Sequence, residues 1–160
     1  MSARIAAPAD GGGTAIARRL DEAAAACAAQ GAQLTALRRA VLGLILAAEA
    51  PLTAYRLLDL LKATRSNAAP PTIYRAVDFL LAQRLIHRIE RINAFVGCTG
   101  GAHHAHPAQF LICRSCGGVA EIEDPAVSRA LARAATRQGF RASSSVVEIE
   151  GVCAACAAPG

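Results

Sequence analysis

The chain of 160 residues has room for two small domains, and 54% of its residues are hydrophobic. Its longest uninterrupted apolar stretch, residues 40–48, is too short to span a bilayer, and its first ten residues lack the apolar core of a secretion signal. We therefore expect a cytoplasmic protein with no membrane segment, whose six cysteines stay reduced and available to bind metal.

The positive charge is concentrated in the first part of the chain. Residues 1–98 contain 12 Lys and Arg against 7 Asp and Glu, a net charge of +5, whereas residues 99–160 contain 5 of each. A basic segment followed by a neutral, cysteine-rich one is typical of a polyanion-binding domain joined to a metal-binding domain. An ordinary basic surface produces the same charge pattern, so charge alone does not choose between the two.

The first half of the chain predicts successive helices. Residues 1–13 end in three glycines and are typical of a flexible leader. The alanine-rich run 14–30 favours a first helix, in which Cys27 is expected to pack in the core. Apolar residues at helical spacing across 34–48 predict a second helix, and Thr53 is placed to cap a third.

A fourth helix and two strands follow. Proline suits the first turn of a helix, so the pair Pro70-Pro71 predicts a helix that begins at about Thr72. Residues 85–90 and 93–98 favour two short paired strands. Short helices followed by a strand pair predict a helix-turn-helix with a wing, occupying residues 14–98.

The fourth helix has one apolar face and one polar face. Arg75 projects from nearly the opposite side to the apolar positions, with Tyr74 beside it. An outward arginine on such a helix suits the reading of DNA bases, because a guanidinium bonds guanine O6 and N7 together. Tyr55, at the start of the preceding helix, is a further candidate for DNA contact. The alternative for all three residues is an ordinary solvated helix surface.

The last third of the chain predicts a second, small domain. A polar, glycine-containing hinge over 99–107 separates it from the first. The domain, residues 108–160, is expected to contain these elements: strands at 109–112, 119–123 and 146–149, and a helix at 125–138 capped by Asp124, with an apolar stripe of Val127, Leu131 and Ala134. The fold class is therefore α+β, an N-terminal winged helix-turn-helix domain followed by a C-terminal α/β domain.

Two Cys-x-x-Cys hooks give the strongest signal in the sequence. Cys113 and Cys116 form the first hook, and Cys153 and Cys156 form the second. Each hook aims two sulfurs at one ion, and together they supply the four thiolates of a tetrahedral structural zinc site. Two small disulfides, or simple burial of the thiols, are the alternatives.

The hooks do not predict an enzyme. Zinc deaminases also contain Cys-x-x-Cys, but they add a His-x-Glu sequence and a proline before the first cysteine, and this chain has neither. Four thiolates on one ion leave no coordination position for a reactive water. A thiol redox switch, which would release zinc on mild oxidation, is a separate alternative.

Four segments together resemble the ferric uptake regulator family, and within it the zinc uptake regulator branch. They are PPTIYRAVDFLL at 70–81, LIHRIE at 85–90, NAFVGC at 93–98 and FLICRSCGGV at 110–119, and the resemblance extends over about 34–156. It implies a winged-helix DNA-binding domain, a hinge, and a C-terminal domain that forms a homodimer and holds structural zinc in the two hooks.

The resemblance also implies a second, regulatory zinc ion in each subunit. Its ligands by matching motif are His87, Cys98, His106 and Glu121, and His103, His104 or Glu90 are alternatives for some of these positions. The thiolate of Cys98 favours zinc over iron(II) or manganese(II), because it is softer than any oxygen ligand.

The function that the resemblance implies is zinc-responsive repression. A zinc-loaded homodimer would bind double-stranded operator DNA and control zinc homeostasis genes, without a small-molecule substrate. Tyr55 and Arg75 would contact bases, and Asp59 and Lys62 would form salt bridges between neighbouring dimers on the DNA. An iron, manganese or peroxide sensor of the same family is the nearest alternative.

Overall fold

The computed structural model describes residues 12–98 and 107–157, which belong to two separate compact units. Most of the predicted leader and of the predicted hinge lies outside these described residues. No helix in the described ranges combines the length and apolar character that a membrane span requires. The α+β class is confirmed, because both units combine helices with a three-stranded sheet.

The N-terminal unit contains four helices and three short strands. In chain order these are α1 (Gly12–Ala29), α2 (Ala36–Ala47), β1 (Leu52–Thr53), α3 (Ala54–Lys62), α4 (Pro70–Ala82), β2 (Ile86–Ile89) and β3 (Ala94–Gly97). The four predicted helices are confirmed. The first begins at Gly12, inside the predicted leader, and the fourth begins at Pro70 instead of Thr72.

Side-chain caps and prolines set where these helices begin. Thr35 accepts a hydrogen bond from the N–H of Arg38 at 3.4 Å at the start of α2. Thr53 caps α3 in the same way, accepting from the N–H of Arg56 at 3.2 Å, as the sequence predicts. Prolines occupy the first turn of α4, where the missing N–H costs nothing because that position has no helical partner.

One apolar core joins α1 to α4. Cys27 of α1 is buried, as expected for that lone cysteine. The other helices contribute these buried side chains: Val41, Leu42 and Ile45 of α2, Leu57 and Leu61 of α3, and Ile73, Ala76, Val77 and Leu80 of α4. Because α4 buries this face, its opposite face is left exposed.

The wing is an antiparallel sheet in the order β1-β3-β2. The predicted strand pair is confirmed, with Ile86 opposite Gly97 and Ile89 opposite Ala94. Asn93 has a φ of 47°, the left-handed conformation that an asparagine tolerates well, and it closes the turn before β3. The third strand, β1, is absent from the sequence prediction because it is only two residues long.

The C-terminal unit is a three-stranded sheet with two helices. In chain order it contains β4 (Ala108–Cys113), β5 (Val119–Ile122), α5 (Pro125–Arg137), β6 (Val146–Gly151) and α6 (Ala154–Ala157). The sheet order is β5-β4-β6, with β5 antiparallel and β6 parallel to β4. All three predicted strands and the long helix are confirmed, whereas the four-residue α6 was not predicted.

The start of α5 is fixed by Asp124 and by Gln109 of β4. Asp124 accepts a hydrogen bond from the N–H of Ala126 at 2.7 Å, which confirms the predicted cap. The buried amide of Gln109 donates to the carbonyl of Asp124 at 3.0 Å and to Ser128 Oγ at 2.9 Å.

The predicted apolar stripe of α5 is not buried within the described residues. No residue of α5 is buried, and Leu131 is 42% exposed. Other large apolar side chains of this unit are also exposed, namely Phe140, Val146, Ile149 and Val152. Exposed apolar side chains thus lie on α5 and on β6 and shortly after each of them.

Candidate metal sites and DNA-binding face

The parallel pairing of β4 with β6 brings the two cysteine hooks together. Cys113 is the last residue of β4 and stands opposite Gly151 of β6, so the two hooks follow neighbouring strand ends. The first hook turns back through Gly117, whose φ of 71° suits a residue without a Cβ. In the second hook, Cys153 precedes α6 and Cys156 lies within it.

The four sulfur atoms fit a zinc ion. They all lie within 4.8 Å of one another, and Cys116 Sγ is 3.9 Å from Cys153 Sγ. Zinc–sulfur bonds of about 2.3 Å in a tetrahedron place the sulfurs about 3.8 Å apart. None of the six cysteines, all of which lie in the described ranges, forms a disulfide in this structure, so it does not contain the alternative of two disulfides. The donor set and its spacing are those of a closed structural zinc site.

The electrostatics of the hooks favour a cation. The N–H of Cys153 donates to Cys113 Sγ at 3.3 Å, and this bond, with further amides of the first hook, lowers the pKa of Cys113 to about 6. Hydrogen bonds to the sulfurs of Cys153 and Cys116 raise the pKa of Cys156 to about 12. The amide donors around Cys113 thus favour the thiolate form that a bound zinc ion requires of its cysteine ligands.

A second pair of metal-type donors lies at the wing. His87 is on β2, and Cys98 directly follows β3, where only 3% of it is exposed. The N–H of Cys98 donates to the carbonyl of Leu85 at 3.1 Å and so extends the β2–β3 hairpin by one residue. The hairpin register brings the donor atoms of His87 and Cys98 within 4.8 Å of each other. An imidazole and a thiolate at this distance suit zinc.

The other expected ligands of this ion lie elsewhere in the chain. Glu121 is on β5 of the C-terminal unit, opposite Phe110 of β4. His106, and the alternatives His103 and His104, fall outside the described residues. Glu90, the remaining alternative, is exposed on the 3₁₀ turn after β2, and its Oε2 lies 3.3 Å from Nε of Arg88.

The predicted DNA-contacting side chains are exposed on α3 and α4. Tyr55 is 76% and Tyr74 is 56% exposed, and Arg75 also lies on the exposed face of α4. Asp59 and Lys62 are exposed on α3. The placement of Arg75 opposite the buried face of α4 agrees with the helical periodicity used to predict it.

A groove between α2 and α4 adds residues that the sequence did not single out. It has a volume of about 360 Å³, and Thr35, Arg38, Thr72 and Arg75 line it. The guanidinium of Arg38 lies 3.6 Å from the ring centroid of Phe79 on α4 and donates to the carbonyl of Gln33 at 2.7 Å.

Known proteins resemble this chain over most of its length. The model of the ferric uptake regulator family matches residues 29–150. The zinc uptake regulation protein of Escherichia coli K12 is 37% identical over 137 residues, which cover 86% of this chain and 80% of that protein.

Two solved structures agree with this match. One is a zinc uptake regulator complexed with zinc and DNA, with a TM-score of 0.84, 37% identity, and coverage of 88% of this chain and 94% of that one. The other is holo XcZur, with a TM-score of 0.80, 41% identity, and coverage of 88% and 97%. The family model spans most of the chain and the relatives exceed a third identity, so this chain belongs to the ferric uptake regulator family.

Proposed function

We propose that this protein is a zinc-responsive transcriptional repressor that binds operator DNA as a homodimer and controls zinc homeostasis genes. The observation that carries the proposal is the pairing of His87 with Cys98 at the base of the wing, in the unit that exposes Arg75 on α4. The relatives named above are zinc uptake regulators, and one of them was solved with zinc and DNA. One chain would therefore both sense the metal and bind DNA.

Each subunit is proposed to hold two zinc ions. The four hook cysteines hold a structural ion that ties the end of β4 to the chain after β6. The regulatory ion takes His87 and Cys98, together with His106 and Glu121 as the resemblance implies. A zinc ion with ligands from both units restricts the angle between them, and by linkage it raises DNA affinity if the restricted arrangement is the one that binds DNA.

The choice of zinc over other metals rests on Cys98. Iron(II) and manganese(II) prefer oxygen and nitrogen ligands, whereas a buried thiolate beside an imidazole favours zinc. The chemistry of His87 and Cys98 therefore disfavours an iron, manganese or peroxide sensor. A thiol switch at the hooks remains a distinct hypothesis, and it predicts loss of zinc on mild oxidation.

The exposed face of α4 is proposed to enter the major groove. Arg75 reads a guanine, Tyr74 and Tyr55 contact the DNA beside it, and Asp59 and Lys62 contact a neighbouring dimer. Arg38 and Thr35 line the adjoining groove, where a phosphate of the backbone would meet a cation and a hydroxyl.

The exposed apolar surface of the C-terminal unit is proposed as the homodimer interface. Within the described residues β6 is an edge strand of the sheet, and an edge strand is where a strand of a second copy can extend a sheet. Val146 and Ile149 on that strand are about half exposed, at 54% and 50%. A dimer that covers these two side chains removes apolar area from water, and it also gives the edge strand a hydrogen-bonded neighbour.

The remaining expectations follow from the same sites. A closed four-thiolate site has no open position for a reacting water, so we expect no catalytic activity and no small-molecule substrate. From the proposed operator binding we infer a cytoplasmic location, where the hook thiols stay reduced.

A metal-by-metal DNA shift assay tests the function. Protein stripped of its regulatory metal by a mild chelator is titrated with buffered zinc, iron(II) or manganese(II) and then mixed with labelled operator DNA. Zinc should strengthen specific binding by about 5- to 150-fold, the usual range of such coupling. Equal or greater stimulation by iron(II) or manganese(II) would replace the zinc assignment by that of the other metal.

A further inference from the structure

The backbone of Cys98 is held from two directions within the N-terminal unit. Its N–H donates to the carbonyl of Leu85 at 3.1 Å, which belongs to the wing hairpin. Its carbonyl oxygen accepts a hydrogen bond from Nη2 of Arg19 at 2.8 Å. Arg19 lies on α1, 79 residues earlier in the chain. With both its N–H and its carbonyl fixed, the residue carries its thiol in a defined direction.

The structure leaves little space around this contact. A Cβ at position 97 would lie 2.5 Å from Cδ2 of Leu46 and 3.6 Å from Nη2 of Arg19, so Gly97 permits both side chains to approach the end of β3. A cavity of about 40 Å³, lined in part by Arg19, Leu42, Leu46 and Cys98, adjoins the contact. The guanidinium is half-buried where it reaches the Cys98 carbonyl, beside a small cavity that Glu22 also lines, and partial burial weakens a hydrogen bond less than full exposure to water does.

We propose that Arg19 is a positioning residue for the zinc ligand Cys98. The proposal rests on the proposed function, because it requires Cys98 to bind the regulatory ion. Arg19 donates to the backbone carbonyl of Cys98 and not to its sulfur, so a metal ion on the sulfur does not compete for this bond. A ligand that is already held in place loses less freedom when the ion binds, and the ion is bound more tightly.

The same contact connects the regulatory ion to the helices. An ion that fixes Cys98 also restrains Arg19 and therefore α1. Helix α1 packs on α2, and α2 in turn packs on α4. Because α4 carries Arg75, α1 is a physical connection within this unit between the metal ligand and the DNA-binding face. The family resemblance did not single out α1 for this role.

Cobalt(II) titration of the full chain tests the proposal. The four hook cysteines are first filled with zinc, and cobalt(II) is then added in competition with a chelator. A cobalt–thiolate absorption band reports binding to Cys98 alone, without any DNA present. We expect Arg19→Ala to weaken cobalt binding by about 10- to 100-fold, as losses of residues that orient metal ligands commonly do.

Arg18 provides the matched control. It is the neighbouring arginine of α1, its side chain is 74% exposed, and its Nε lies 3.8 Å from Oε1 of Glu22. Arg18→Ala removes the same charge from the same helix and should leave cobalt binding within about twofold of the parent protein. Arg19→Lys keeps a cation of nearly the same reach and should restore part of the affinity.

Four outcomes decide whether Arg19 positions Cys98. A large loss for Arg19→Ala with an unchanged melting temperature, partly restored in Arg19→Lys, supports the positioning role. Equal cobalt affinities for Arg19→Ala and Arg18→Ala overturn the positioning role. A loss of cobalt affinity that is matched by a fall in melting temperature also overturns it, because Arg19 is then only structural. Retention of the band in Cys98→Ser instead contradicts the proposed regulatory site itself, whatever the Arg19 variants do.

Discussion

The N–H of Cys153 donates to Cys113 Sγ at 3.3 Å, a hydrogen bond between two hooks that lie 40 residues apart in the chain. It shows that the peptide backbone of one hook is shaped to stabilise negative charge on the sulfur of the other. The four hook cysteines form one cluster, so we expect the loss of either hook to disable metal binding by both.

Cys113→Ser should remove the structural zinc and destabilise the C-terminal unit. Structural zinc contributes about 10 to 16 kcal/mol in zinc-dependent peptides, and serine is a poor ligand at neutral pH. Metal content by mass spectrometry and size-exclusion chromatography measure the loss of zinc and of the dimer. Ser115→Ala, in the same hook but with an exposed side chain that is not a ligand, is the control. A fully zinc-loaded Cys113→Ser dimer would contradict the four-cysteine site.

Arg75→Ala should weaken specific operator binding by about 1 to 3 kcal/mol and leave the zinc content unchanged. The guanidinium is exposed on α4 opposite the buried face, so its removal costs little folding stability. Affinities for operator and for random DNA are measured at one salt concentration. Arg141→Ala, an exposed arginine of the C-terminal unit, controls for the loss of charge. If Arg75→Ala weakens binding to operator and to random DNA equally, Arg75 contacts a phosphate and does not read a base.

Cys98→Ser and His87→Ala should separate sensing from folding. Each removes one ligand of the regulatory ion and leaves the four hook cysteines intact. We expect both variants to keep their tightly bound zinc and their dimeric state, and to lose zinc-stimulated DNA binding, because no ion then favours the DNA-binding arrangement. DNA affinity without added zinc should barely change. If both variants respond to zinc normally, the regulatory site has been placed on the wrong residues.

Ile149→Asp should break the homodimer without removing the structural zinc. The side chain is 50% exposed on β6, and a carboxylate at this position would become buried against the second copy. Sedimentation at several protein concentrations should show a dissociation constant raised by at least about 100-fold, or 2.7 kcal/mol. Ala142→Asp places the same charge on an exposed residue before β6 and should leave the dimer intact. A stable Ile149→Asp dimer would locate the interface elsewhere.

Local signals in the sequence sufficed for the helices, the wing and the hooks. Thr53 and Asp124 were identifiable as caps because a small polar residue precedes an apolar periodic run, and Arg75 was identifiable as exposed from helical spacing. The pairing of β4 with β6 was not predictable in register or direction, because neither strand is long enough to specify its neighbour.

The features missed by the sequence reading depend on contacts between distant segments. The bond from Arg19 to Cys98 and the stacking of Arg38 on Phe79 follow no local pattern. The stripe on α5 was expected to face a core, yet it is exposed in the described unit. Periodicity identifies which face of a helix is apolar, but it does not say whether the same chain or another one covers it.

The parallel pairing of β4 with β6 also determines the order in which the C-terminal unit can form. Ala108 stands opposite Val146, so the chain between them, which includes β5 and α5, must be made before β6 can join the sheet. Pairings between such distant segments close slowly. Until then the first hook offers an ion two sulfurs instead of four, and any metal it captures remains exchangeable. We therefore expect selection of the metal at the hooks to come late in folding, after β6 has brought the second hook to the first.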